Sequence, residues 1–285
     1  MRSYLPDYDA ICAKDLAHAL ALLTLGEGWR PIAGGTDLMV LFNAGKLPFR
    51  KLCDIRGIAE LRAIRTTDRE VAVGAAITYT QIRCSAILQA EFPLLGVAAA
   101  WTGGIANQNR GTIGGNIVNA SPAADSAPPL LVYNAELRLL SVHGERRIPY
   151  CEFHTAYKQM QLRPDELLVE IRLPRQAAKL QHYSRKVGAR KAQAISKVSV
   201  AATARREAGI LQDVRIAVGS VAPVPLRCRK TEALLTGNAL TSELLDQVQR
   251  AIEAEISPVT DLRSTASYRT RVTANLLEEF LRSLR

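Results

Sequence analysis

The chain has 285 residues, 48% hydrophobic and 22% charged, with 13 prolines and 18 glycines, a composition that excludes wholesale disorder, collagen-like repeats and a single small module. Its 37 basic against 27 acidic residues give a net charge of +10, yet the cations are scattered and only 5% of residues are aromatic. A nucleic-acid surface is therefore not expected, and the charge reads as a solvated face suited to an acidic partner.

In chain order, residues 14–25 carry Leu16, Ala19, Leu20, Leu22 and Leu23 at helical spacing and stop at Gly26 and Gly28, which predicts a helix. Residues 29–33 read as a strand, Gly34-Gly35-Thr36-Asp37 as a turn and residues 38–44 as an apolar helix. Strands are expected at 51–55 and 70–74 around a helical turn near 58–61, and helices at 79–88 and 93–101. Residues 109–125 show no element period and read as a long loop, a length uncommon unless the segment binds or catalyses. Strands follow at 136–141 and 166–173, the second alternating Leu168, Glu170 and Arg172 against Val169, Ile171 and Leu173 and ending at Pro174. The polar stretch 175–179 marks a boundary. Beyond it lie three strands (182–187, 195–205, 214–221), with turns near Gly188 and Gly209, and then three helical segments. The last carries Tyr268, Val272, Leu276, Phe280 and Leu284 at four-residue spacing, a stripe expected to face the core. No repeat of 20 to 50 residues is visible.

No run approaches the roughly 18–20 apolar residues that cross a bilayer. The opening residues lack an apolar signal core, so a cytoplasmic protein without a membrane span is expected. Cys12, Cys53, Cys84, Cys151 and Cys228 stand far apart, which argues against zinc or iron-sulfur ligation and for reduced, mostly buried thiols. His18, His143, His154 and His182 are equally scattered. No triad, carboxylate dyad or metal set stands out, and no catalytic residue or metal ligand is assigned.

The chemistry gathers in two glycine segments. In Gly34-Gly35 two missing Cβ atoms let backbone N–H groups converge on an anion ahead of a helix N-terminus. Equally, Thr36 and Asp37 can cap that helix, and the segment is then only a tight turn. The second segment places Gly111, Thr112, Gly114 and Gly115 beside Asn116, Asn119, Ser121 and Asp125, and Thr112 with Gly114-Gly115 is expected to repeat the phosphate-cradling chemistry. Two such loops suggest a diphosphate and hence a dinucleotide, but neither is the GxGxxG of a Rossmann fold, which is disfavoured.

PIAGGTDL (31–38) together with NRGTIGGNIVNASPAAD (109–125) resembles the FAD-binding subunit of the molybdenum hydroxylases, the xanthine dehydrogenase and carbon monoxide dehydrogenase family. The resemblance continues through DELLVEIRLP (165–174), RKVGARKAQAISKVSVAA (185–202), VGSVAPVPLRC (218–228) and RSTASYRTRV (263–272), nearly the whole chain in order. It implies an α+β fold of the vanillyl-alcohol oxidase (PCMH) type. Two α/β subdomains (1–57 and 58–177) would clasp FAD, followed by a C-terminal domain (178–285) with a small antiparallel sheet and helices. It further implies FAD contacts from Pro31, Ile32, Ala33, Gly34, Gly35, Thr36, Asp37 and Leu38, and from Gly111, Thr112, Ile113, Gly114, Gly115 and Asn116. Asp125 matches the family's aspartate after the Ser-Pro turn, and Leu168 and Lys186 match its flavin-side hydrophobe and lysine. A lysine there would balance the negative charge of a reduced flavin; the plain alternatives are a solvated cation for Lys186 and an Asx turn for Asp125. Where many relatives have QIRN, this chain has Ala106-Asn107-Gln108-Asn109, and it lacks the cysteine group that holds a 4Fe-4S cluster in some relatives.

The function so implied is an electron-transfer subunit, a flavin-dependent oxidoreductase component. It would take electrons from the 2Fe-2S clusters of a small partner subunit, in a complex with a large molybdopterin subunit, and pass them through FAD to NAD, a quinone or oxygen. The alternatives are a stand-alone oxidoreductase of the same superfamily, resembling the enolpyruvyl-UDP-glucosamine reductases, and a scaffold with a vestigial FAD site.

Overall fold

A computed structural model describes residues 7–175, 180–190 and 192–284. The first unit runs β1 (Asp9–Cys12), α1 (Leu16–Thr24), β2 (Trp29–Ile32), α2 (Leu38–Asn43) and β3 (Lys51–Asp54). β3 lies between β1 and β2 and parallel to both. The α1 helix starts where the Asp15 carboxylate accepts the His18 amide at 2.7 Å, satisfying an otherwise orphaned N–H. Its Ala19, Leu20, Leu22 and Leu23 pack with Trp29 and Cys53. α2 buries none of its side chains although its sequence is apolar.

After a 3-10 turn (Ala59–Arg62), the second unit comprises β4 (Ile64–Thr66), β5 (Glu70–Gly74), α3 (Tyr79–Cys84), α4 (Ala86–Glu91), α5 (Pro93–Trp101), α6 (Ile105–Arg110), α7 (Ile113–Val118), α8 (Ala127–Val132), β6 (Glu136–Ser141), β7 (Gly144–Pro149), α9 (Tyr150–Phe153), the ribbon β8 (His154–Ala156) and β9 (Gln159–Met160), and β10 (Leu167–Pro174). Its sheet has the order β4-β5-β10-β6-β7, antiparallel throughout. Central β10 is covered on both faces. Leu168, Ile171 and Leu173 join the core under the helices, while Leu167 and Val169 join α1 and Trp29 on the other side. The strict alternation expected over 168–173 is thus broken, because a bulge between Leu168 and Glu170 flips the facing.

Two further expectations fail here. The helix expected at 79–88 is interrupted at Ser85, whose extended backbone ends α3 and whose hydroxyl caps α4. The segment 109–125 is not one loop, since it contains α7, capped by Thr112, whose Oγ1 accepts the Gly115 amide at 3.1 Å. Two glycines, poor helix formers, hid that helix. Its first glycine is required by packing: a Cβ on Gly114 would lie 2.6 Å from that of Ala75.

The third unit consists of β11 (Gln181–Val187), β12 (Val198–Glu207), β13 (Ile210–Gly219), β14 (Leu226–Arg227), α10 (Arg229–Leu235), α11 (Ser242–Glu255) and α12 (Ala266–Ser283). Its antiparallel sheet, in the order β11-β12-β13-β14, packs one face against these helices. Ala201 and Ala217 on the other face join the second unit's core. All of α8 is buried there, and Arg215 and Arg227 donate to the carbonyls of Val132 (3.2 Å) and Leu131 (2.8 Å) at its C-terminal end. The expected α12 stripe is only partly right. Phe280 and Leu284 are buried, but Tyr268 is 43% exposed, because a four-residue step overshoots one turn by about 40° and the row winds out of the core. Of the cysteines, Cys53 and Cys228 are buried while Cys12, Cys84 and Cys151 are exposed, so the thiols are not mostly buried. The boundary expected at 177 lies outside the described residues.

Candidate functional site

From β2 the chain turns through Gly34 and Gly35, the latter at φ +71°, into α2. The amides of Gly34, Gly35, Thr36 and Asp37 make no hydrogen bond among the described residues, leaving four consecutive free donors at a helix start. A Cβ on Gly34 would run into the Arg110 carbonyl and lie 2.8 Å from Cα of Gly111. Gly34 therefore lets the two glycine segments touch, rather than simply clearing a path for a ligand. Asp37 occupies the N-cap position but makes no capping bond; its Oδ1 instead accepts the Asn119 amide at 3.3 Å.

The second segment does not repeat the first. The amides of Ile113 and Gly114 donate to the carbonyls of Ile77 (3.0 Å) and Ala75 (2.9 Å), and that of Gly115 is taken by Thr112, so these donors fix α7 in place. The segment gives the site side chains instead. Asn116 accepts the Ser126 hydroxyl at 2.7 Å through Oδ1, which leaves its amide nitrogen to donate.

Between the segments lies a cleft of about 210 Å³ that brings together Ala33, Gly34, Gly35, Thr36, Asp37 and Leu38 with Gly111, Thr112, Gly115 and Asn116. Pro31, Ile32, Ile113, Gly114 and Leu168 are not in its lining. Ile113 is fully buried, and Leu168 is a core residue paired with Leu139 across the sheet. The cleft also gathers Asn107 and Asn119, both noted in the sequence, and three residues the sequence did not single out: Tyr79, Thr102 and Gly103. Gly103 forms a glycine pair with Gly104 shortly before the second segment, but nothing in the sequence marks Tyr79. It reaches the site because α3 starts beside the Gly111 carbonyl, which accepts its amide at 3.2 Å, and burial pushes its phenol up.

Asp125 and Lys186, 61 residues apart, form a buried pair: Lys186 Nζ lies 2.6 Å from Asp125 Oδ2 and donates to the Trp101 carbonyl at 2.9 Å. Ser196 donates to the other carboxylate oxygen at 2.7 Å. With side-chain exposures of 9% and 10%, Lys186 is not a solvated cation. The Asp125 carboxylate serves this pair and Ser196 rather than an Asx turn. Burial raises the Asp125 carboxyl, against the opposing pull of Lys186. The pair ties the end of α5, next to the cleft residue Thr102, to β11.

A second hollow of about 630 Å³ shares Asp37 and Asn119 with the cleft and is lined by Ser196 and by the exposed Tyr157, Ile195 and Val259. The cleft alone is smaller than the roughly 300–1,000 Å³ of ordinary ligand sites, but together the two hollows have the size of a nucleotide site. Among the described residues there is no group of three or more His, Cys, Asp or Glu poised to hold a metal. No helix among them is long and apolar enough to cross a membrane.

Free amides at a glycine turn, a polar cleft and an adjoining larger hollow are the features of a nucleotide-cofactor-binding protein. Residues 6–176 match the family described as the FAD binding domain in molybdopterin dehydrogenase, and residues 183–284 match the CO dehydrogenase flavoprotein C-terminal domain. The chain is 32% identical over 273 residues to a xanthine dehydrogenase FAD-binding subunit of Escherichia coli O157:H7, covering 94% of this chain and 93% of that one. It is 31% identical to the carbon monoxide dehydrogenase medium chain of Hydrogenophaga pseudoflava, covering 97% and 96%. A solved structure of carbon monoxide dehydrogenase from that organism superposes with a TM-score of 0.92 at 31% identity, over 97% of this chain and 96% of that one. The chain belongs to the FAD-binding medium subunits of the xanthine and carbon monoxide dehydrogenase family, flavin-dependent oxidoreductases that act in complexes.

Proposed function

We propose that the chain is the electron-transfer subunit of its complex and holds the FAD diphosphate in the cleft. The four free amides from Gly34 to Asp37 carry this reading, since they are donors with no partner among the described residues. Thr112 and Asn116 would add side-chain contacts, with Ala33, Leu38, Gly111 and Gly115 bordering the diphosphate. Pro31, Ile32, Ile113, Gly114 and Leu168 would shape the site from behind. The flavin ring would extend toward the adjoining hollow, whose inner wall includes Ser196 of the Asp125–Lys186 cluster. Bound FAD supplies the conversion between one-electron and two-electron transfer. Lys186, fixed by Asp125 and the Trp101 carbonyl, would offer the fixed cation that a reduced ring requires.

The electron source would be 2Fe-2S clusters on a small partner subunit, fed by a large molybdopterin subunit, and the acceptor NAD or another oxidant. Relatives named as a medium chain and as a complex subunit support such an assembly. Residues 1–57 and 58–177 would form the two subdomains that clasp FAD, and residues 178–285 the C-terminal domain. The exposed thiols of Cys12, Cys84 and Cys151 fit a reducing, cytoplasmic compartment.

The test is FAD titration of the flavin-free complex with Gly35→Val. A Cβ at Gly35 has room, its nearest neighbours lying at 3.6 Å, but φ is +71°, so a β-branched residue must rearrange the turn and its amides. Loss of FAD with the complex still assembled is expected; full retention would show that the turn only connects β2 to α2.

A further inference from the structure

For a site that takes a diphosphate, the cleft has the wrong charge. Among the described residues lining it none is lysine or arginine, and Asp37 sets a carboxylate beside the free amides. An anion entering there meets like charge. A cation bonded directly to a residue of the lining, Asn119, is Lys158, in the turn of the β8–β9 ribbon; it lines the adjoining hollow, as do Arg263 and Arg269. Its ammonium donates to the Asn119 backbone carbonyl at 2.7 Å and to Asn119 Oδ1 at 2.6 Å. With both oxygens so held, the Asn119 amide nitrogen faces Asp37 Oδ1 at 3.3 Å. Three segments distant in the chain thus meet where the cleft opens into the larger hollow. Lys158 holds this place at φ +58°, a conformation unfavourable for a residue with a side chain.

We propose that Lys158 is a positioning residue for the dinucleotide's diphosphate: it turns the Asn119 amide onto the Asp37 carboxylate and supplies the positive charge that the cleft walls lack. The inference rests on the diphosphate lying in the cleft. It gives a role to the ribbon, which no sequence motif marked, and to Asn119, whose amide is only as well oriented as the oxygens Lys158 holds.

A double-mutant cycle tests it in the assembled complex, freed of FAD and titrated with FAD. Asparagine tolerates a positive φ, so Lys158→Asn removes the charge while leaving the turn intact, and with the lost contacts exposed the melting temperature of the flavin-free complex should fall only slightly. Lys158→Asn should weaken FAD binding roughly tenfold, the scale of one charge-assisted hydrogen bond. Lys158→Arg should restore most of the affinity. Adding Asp37→Asn to Lys158→Asn should recover binding, because the charge to be answered is gone. Wild-type affinity in Lys158→Asn, or a double variant that binds no better than Lys158→Asn, would overturn the proposal and leave Lys158 as a tether of the ribbon. Gly35→Val in the same titration separates the two layers. If it keeps FAD, the diphosphate lies elsewhere and the underlying reading fails; if it loses FAD while Lys158→Asn binds normally, only the role of Lys158 falls.

Discussion

Gly34 is where a residue-level reading and its physical reason part. The glycine pair stood out in the sequence as either a phosphate cradle or a plain tight turn, but the atom that a Gly34 side chain would strike is the Arg110 carbonyl, a neighbour only folding could reveal. Gly34→Val should therefore lower both the melting temperature and the FAD content of the complex, whereas Gly35→Val should act mainly on FAD. Equal melting temperatures for the two variants would refute that division. The histidines give a second residue-level prediction. Burial holds His154 below its usual value despite its 2.9 Å bond to the Ile117 carbonyl, and burial likewise lowers His182. Neutral imidazoles thus belong to the folded state. Stability should be complete above about pH 6.5, the value of a free imidazole, and fall as the pH drops toward the lowered folded values. His154→Gln should flatten the acid limb of a melting-temperature profile; an unchanged slope would mean that His154 does not set it.

At the level of elements, the apolar periodicity of α1 and the three strands expected between 182 and 221 were legible because local pattern and burial agree there. Legibility failed where tertiary contact overrode propensity. Gly114 and Gly115 concealed α7, and the bulge in β10 reversed which residues face which core. In α12 the fixed four-residue spacing followed a row that leaves the buried face. Phe280→Ala should accordingly cost about 3–5 kcal/mol, while Tyr268→Ser should stay within about 0.5 kcal/mol. Chemical denaturation of the complex measures both, and similar losses at the two positions would restore the uniform stripe.

Across the whole molecule, the third unit is held to the FAD-binding part by α8 and by the Asp125–Lys186 pair. The two residues were readable from family resemblance, yet their 2.6 Å contact was not, because a sequence shows no link between positions 61 residues apart. Lys186→Met would leave a buried carboxylate unanswered and should cost about 3–5 kcal/mol, much of it regained in the double variant with Asp125→Leu. No recovery would mean that Lys186 acts through packing alone. The proposed FAD site depends on the four amides of the first glycine turn that make no hydrogen bond among the described residues, and the most direct measurement is a crystal structure of the FAD-loaded complex. Diphosphate oxygens should lie about 3 Å from the amides between Gly34 and Asp37; a diphosphate bound away from that turn, with those amides facing only solvent, would contradict it.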